Sequence, residues 1–141
     1  MELSTFGGIL NFALELERRT LEFYRQAVTT AIAQPELQEQ LRRLLADSER
    51  ALRRLERVRR ENINEMLLER ISGLKEDDYQ LPFEPSFSAQ SEILASARRL
   101  EELAHRFYRD AAARINLPDV ARVFTRLAAD KAEHLALLAE R

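Results

Sequence analysis

Residues 13–28 read ALELERRTLEFYRQAV, and residues 97–112 read ARRLEELAHRFYRDAA. The two stretches are versions of one another: Ala13, Glu17, Phe23, Tyr24, Arg25 and Ala27 fall on Ala97, Glu101, Phe107, Tyr108, Arg109 and Ala111. A proline followed by an acid comes after each, Pro35-Glu36 and Pro118-Asp119. A second related run then begins, PELQEQLRRLLADSERALRRL (35–55) against PDVARVFTRLAADKAEHLALL (118–138). An internal repeat of this kind means that one supersecondary unit is used twice. Each unit reads as helix, break at proline, helix, with the proline in the first turn, where its missing N–H costs nothing.

The apolar periodicity gives four stripes at alternating spacings of three and four, the pattern of helices facing a bundle core. They run Leu10–Leu14–Glu17–Leu21–Tyr24, Leu37–Leu41–Leu44–Ser48–Ala51–Leu55, Leu94–Ala97–Glu101–Ala104–Tyr108 and Val120–Phe124–Leu127–Lys131–His134–Leu138. Short breaks make the partners within each unit antiparallel. Between the units, residues 72–91 hold two of the four prolines and no stripe. A connection of that length suits a crossover along the bundle, which makes the second and third helices parallel. Tyr79, Leu81, Phe83 and Phe87 are expected to pin it to the side, and Gly73 to cap a long second helix that bends near Asn62–Asn64. The reading is an all-α four-helix bundle over 1–141, with helix pairs at 9–71 and 92–141 and the crossover at 72–91.

Composition agrees. The chain has 141 residues, three glycines and four prolines, too few turn formers for an all-β or α/β fold. It has no cysteine, which excludes disulfides, thiolate metal sites and cysteine nucleophiles. A net charge of −2 exerts no general pull on nucleic acid or anionic membranes. No apolar run reaches the ~20 residues that cross a bilayer. The first residues lack a basic n-region, so a cytoplasmic protein without a signal peptide is expected.

The residues that interrupt the stripes are the informative ones. Glu17 and Glu101 stand where Leu or Ala belongs; Lys131 and His134 lie one turn apart on the fourth stripe, and Ser48 and Ala51 hold the matching places on the second. All fall near mid-helix, so antiparallel packing gathers them into one layer, where charge must be paired. Lys131 is notable because the chain has only two lysines against twenty arginines. The hydroxyls of Tyr24 and Tyr108 are expected to bond within the layer, and His105 to be solvated. Arg50, Arg53, Arg57 and Arg60 recur at three and four, a basic face available to an anion.

A Glu six residues before Phe-Tyr, occurring twice, resembles the rubrerythrin branch of the ferritin-like proteins, over residues 9–58 and 91–141. The resemblance implies a ferritin-like four-helix bundle and a di-iron or di-manganese centre, with one Glu from each of two helices and a Glu-x-x-His pair from each of the others. It places Glu17 and Glu101 at the single-Glu positions and the pairs at Ser48/Ala51 and Lys131/His134. Of six ligands only Glu17, Glu101 and His134 remain; Ser48 and Ala51 are lost ligand positions, and Lys131 puts an ammonium where a metal ligand stood. A one-residue shift would offer Glu49 but take it off the stripe.

Three readings follow. In the first, the chain is a non-catalytic structural or partner-binding protein with no cofactor and a buried Glu–Lys–Glu–His network. In the second, Glu17, Glu101 and His134 hold one iron or manganese ion in an oxidoreductase or metal carrier; lacking cysteine, it has no rubredoxin-like iron site. In the third, the arginine face binds an anion or nucleic acid, although no nucleic-acid module or aromatic interleaving supports this. A homodimer is expected, with an unidentified protein partner as a further option.

Overall fold

The computed structural model describes residues 3–64, 71, 73–80 and 85–139. Four long helices account for most of them: α1 (Phe6–Thr30), α2 (Pro35–Glu61), α3 (Gln90–Arg114) and α4 (Pro118–Ala139). No β-strand element occurs among the described residues. Thr5 caps α1, its side chain accepting from the Gly8 N–H at 3.0 Å. Pro35 and Pro118 open α2 and α4, as the first-turn reading requires. A 3-10 turn, Ala31–Ala33, makes the first break, and three residues, 115–117, make the second.

The core shows how the helices run. One apolar cluster joins the first half of α1 to the second halves of α2 and α3 and the first half of α4. A second cluster joins the remaining halves, including Tyr24, Leu41, Ala97 and Leu138. Helices α2 and α3 are therefore parallel, α1 and α2 antiparallel, and α3 and α4 antiparallel. This is the arrangement that needs a long crossover. Between the clusters lies a polar layer at the level of Glu17, Ser48, Glu101 and Lys131, all buried.

Helix α2 ends where the sequence put a bend, at Asn62–Asn64, which form a turn. It stops at Glu61, with Asn62 as C-cap and the Asn62 side-chain amide donating to the Val58 carbonyl at 2.9 Å. An asparagine that bonds its own helix end competes with continuation. The expected extension to residue 71 falls mostly on residues 65–70, which lie outside the described residues, as do 81–84 with Leu81 and Phe83. Gly73 does not cap α2. Its φ of +88° places it in the left-handed region, and an added Cβ would come within 2.7 Å of the Arg114 guanidinium. The crossover is held where it is described. Ile71 and Leu74 bond through their backbones to Ser4 and Leu3. Glu76–Tyr79 forms a 3-10 turn whose tyrosine donates to Asp110 at 2.7 Å and lies under the Arg106 guanidinium. Phe87 packs on Phe23, ring centres 5.2 Å apart.

Candidate functional site

Every helix contributes a polar group to the mid-bundle layer: α1 gives Glu17, α2 gives Ser48, α3 gives Glu101, and α4 gives Lys131 and His134. Each lies on the stripe that faces the core and is buried there. The Lys131 ammonium sits between the two carboxylates, Nζ at 3.0 Å from Glu17 Oε1 and 3.3 Å from Glu101 Oε2. Glu17 also accepts from Tyr108 Oη at 2.7 Å and from Ser48 Oγ at 3.1 Å. Glu101 Oε1 accepts from Tyr24 Oη at 3.0 Å and contacts His134 Nδ1 at 2.7 Å. The tyrosine bonds are reciprocal: Tyr24 of the first pair reaches the glutamate of the second, and Tyr108 of the second reaches the glutamate of the first.

His134 carries the network outward. Its Nε2 lies 2.8 Å from Asp47 on α2, and Asp47 is ion-paired to Arg50. Both ring nitrogens thus face carboxylate oxygens. The layer therefore runs from buried Glu17 through Lys131, Glu101 and His134 to a half-buried Asp47.

Charge and burial act against each other here. Burial pushes the Glu101 carboxyl up, but the Lys131 ammonium and the His134 and Tyr24 contacts outweigh it, holding the group below the usual glutamate range. Burial pushes Lys131 down, but Glu101 and Glu17 outweigh it and hold the ammonium above the usual lysine range. Burial first, and then the facing carboxylate, raises both Tyr24 and Tyr108 well above the phenol range, so their hydroxyls stay protonated donors. A linkage follows. The lowered Glu101 contributes stability that is complete above the unfolded value of ~4.3 and is lost as pH falls through its depressed folded value. The raised Lys131 contributes stability that is complete below ~10.4 and is lost as pH rises through its folded value. Thermal unfolding against pH checks the acid side: the gap in Tm between the natural chain and Glu101→Gln is expected to close below about pH 4.

The phenol bonds give a second expectation. Tyr24→Phe and Tyr108→Phe each leave a buried carboxylate oxygen one donor short, at a cost of about 1.5–3 kcal/mol. Denaturant unfolding is expected to show similar losses for the two, since the bonds are reciprocal. A loss confined to one would mean that only one carboxylate depends on its phenol.

The structure gathers Glu17, Ser48, Glu101, Lys131 and His134 into one connected group, and it places Ala51 beside them on the wall of a cleft between α2 and α4. Two residues were not anticipated. Asp47, one residue off the second stripe, binds His134; its signal was the repeated Ala-Asp at 46–47 and 129–130, just before the layer positions. His105 is not solvated: it is half-buried, with Nδ1 2.9 Å from the Ala128 carbonyl, where α3 and α4 pack closely. The basic face divides. Arg50 turns to Asp47, Arg57 pairs with Glu61 at 2.7 Å, and Arg53 and Arg60 are exposed.

The donor set does not fit a di-metal centre. Ser48 offers a hydroxyl already spent on Glu17, Ala51 offers nothing, and Lys131 puts a cation between the two carboxylates. Two like unit charges 4 Å apart repel by about 4 kcal/mol at an effective dielectric of ~20, and a divalent ion doubles that. Among the described residues, no group of three or more His, Asp or Glu side chains is disposed to hold a metal ion. Glu101 Oε2 has no hydrogen-bond donor, but the Lys131 ammonium at 3.3 Å faces it.

A family model described as a ferritin-like domain matches residues 7–141. No curated protein and no solved structure matches the chain. No helix among the described residues is long and apolar enough to cross a membrane.

Proposed function

The chain belongs to the ferritin-like domain family, and from that premise we propose that it is a non-catalytic member of the rubrerythrin-like branch. In this reading the di-metal centre has been replaced by a protein-only network, Glu17–Lys131–Glu101–His134, and the bundle serves a structural or partner-binding role without a cofactor. The observation that supports it most is the buried ammonium of Lys131 within 3.0 and 3.3 Å of the two carboxylates. The network balances much of its own charge and satisfies most of its hydrogen-bonding groups, which is what a metal would otherwise do. The branch assignment rests on the Glu-x6-Tyr spacing in both repeats and on the reciprocal tyrosine bonds. We place the protein in the cytoplasm, pairing with a second copy of itself.

The competing reading is a mononuclear iron or manganese oxidoreductase or metal carrier using Glu17, Glu101 and His134. It is favoured by Glu101 Oε2, which has no aligned hydrogen bond, and disfavoured by Lys131, whose ammonium faces that oxygen at 3.3 Å and would have to leave the layer or lose its proton. Elemental analysis of protein produced with added iron and manganese, then desalted, separates the two. The proposal expects trace metal only. Near-stoichiometric metal that survives desalting would establish the other reading.

A further inference from the structure

On the outer side of the layer, between α2 and α4, lies a cleft of about 240 Å³ with Ala51 on its wall. Lys131 and His134 form its polar floor, with Ala51 and Leu127 beside them. Its walls are arginines: Arg43, Arg50 and Arg54 from α2, at helical spacings of seven and four, and Arg126 from α4.

Four arginines line the cleft against three acids, Asp47, Asp130 and Glu133; the Lys131 ammonium is already paired with Glu17 and Glu101. The acids are unequally shared. Arg50 is held by Asp47, and Arg43 by Glu133 at 3.3 Å. Asp130 alone serves two guanidinium groups, Arg126 at 3.2 Å and Arg54 at 3.9 Å. The Arg54 contact is at the outer limit of an ion pair, so most of its five N–H donors are unspent on acids. Planar guanidinium forks suit oxyanions, which they bind in a bidentate manner.

We propose that the α2–α4 cleft binds a small polyvalent oxyanion, a phosphate or a polycarboxylate, held chiefly by Arg54 and Arg126. The ion would take the N–H donors that Asp130 leaves over. This site faces outward from the layer and does not depend on whether the layer excludes metal; the readout below is anion binding, which metal analysis does not touch.

The test is calorimetric titration with inorganic phosphate and, separately, with citrate, at fixed pH and ionic strength, using sodium chloride as the control. Saturable one-to-one binding is expected for at least one of the two, and the tighter one identifies a phosphoryl or a carboxylate ligand. The double variant Arg54→Ala with Arg126→Ala is expected to weaken it tenfold or more. Arg122→Ala, which removes an exposed α4 arginine paired with Asp119 outside the cleft, is expected to leave it unchanged. Both arginines of the double variant are substantially exposed, so its fold is expected to hold, which circular dichroism checks. No saturable binding up to about 10 mM, well beyond a Kd of ~1 mM, would overturn the proposal. So would equal weakening by Arg122→Ala, the mark of diffuse charge attraction.

Discussion

Lys131→Met is expected to destabilise the bundle by about 3–5 kcal/mol, because it removes one member of a buried ion-pair group and leaves the others uncompensated. Lys131 is 2% exposed and Glu17 and Glu101 are fully buried, so water cannot take over from the ammonium without opening the core. For a chain of this length the loss corresponds to a fall in Tm of roughly 10–20 °C. Size does not explain it, since methionine fills much of the lysine stem's volume. The charge origin has its own check. Adding Glu17→Gln and Glu101→Gln to Lys131→Met removes the two stranded carboxylates, and replacing a whole buried ionic group by neutral side chains is often close to neutral in stability. The triple variant is therefore expected to be more stable than the single one, and thermal unfolding of both decides it. If Lys131→Met were as stable as the natural chain, the ammonium would not be holding the layer together.

The second large effect is a gain. Ser48→Glu, Ala51→His and Lys131→Glu, made together, give the layer four carboxylates and two imidazoles, the ligand set of a ferritin-like di-metal centre. The like-charge penalty of Lys131 disappears with the ammonium. Metal content is expected to rise from trace to about two ions per chain, with a Tm that rises on adding iron or manganese and falls on chelation. Failure to bind metal, in a variant that circular dichroism shows to be folded, would mean that the repeat register set by Pro35 and Pro118 does not align the two halves as drawn here.

Much of this architecture is legible in the residues themselves. The stripes report which side of a helix is buried, and a charged residue on a stripe must meet a partner, so the layer of Glu17, Ser48, Glu101, Lys131 and His134 could be named before any coordinate. The parallel course of α2 and α3 follows from the long stripe-free segment between the repeats. Periodicity says nothing, however, about contacts across the seam between two helices. Asp47 lies one residue off its stripe, and its contact with His134 depends on how closely α2 and α4 approach. His105 likewise bonds across the α3–α4 seam to a backbone carbonyl, a partner that leaves no trace in side-chain patterns. The end of α2 at Glu61 is a local competition, decided by the Asn62 side chain bonding Val58, while the apolar pattern runs on.

We propose that an ammonium group stands where a di-metal centre would otherwise lie. Crystals grown after incubation with iron and manganese, with anomalous diffraction recorded at both absorption edges, test it most directly. No anomalous peak is expected between Glu17 and Glu101, with Lys131 Nζ within hydrogen-bonding reach of both carboxylates. An anomalous peak bridging the two glutamates, with the Lys131 side chain turned away from them, would contradict it.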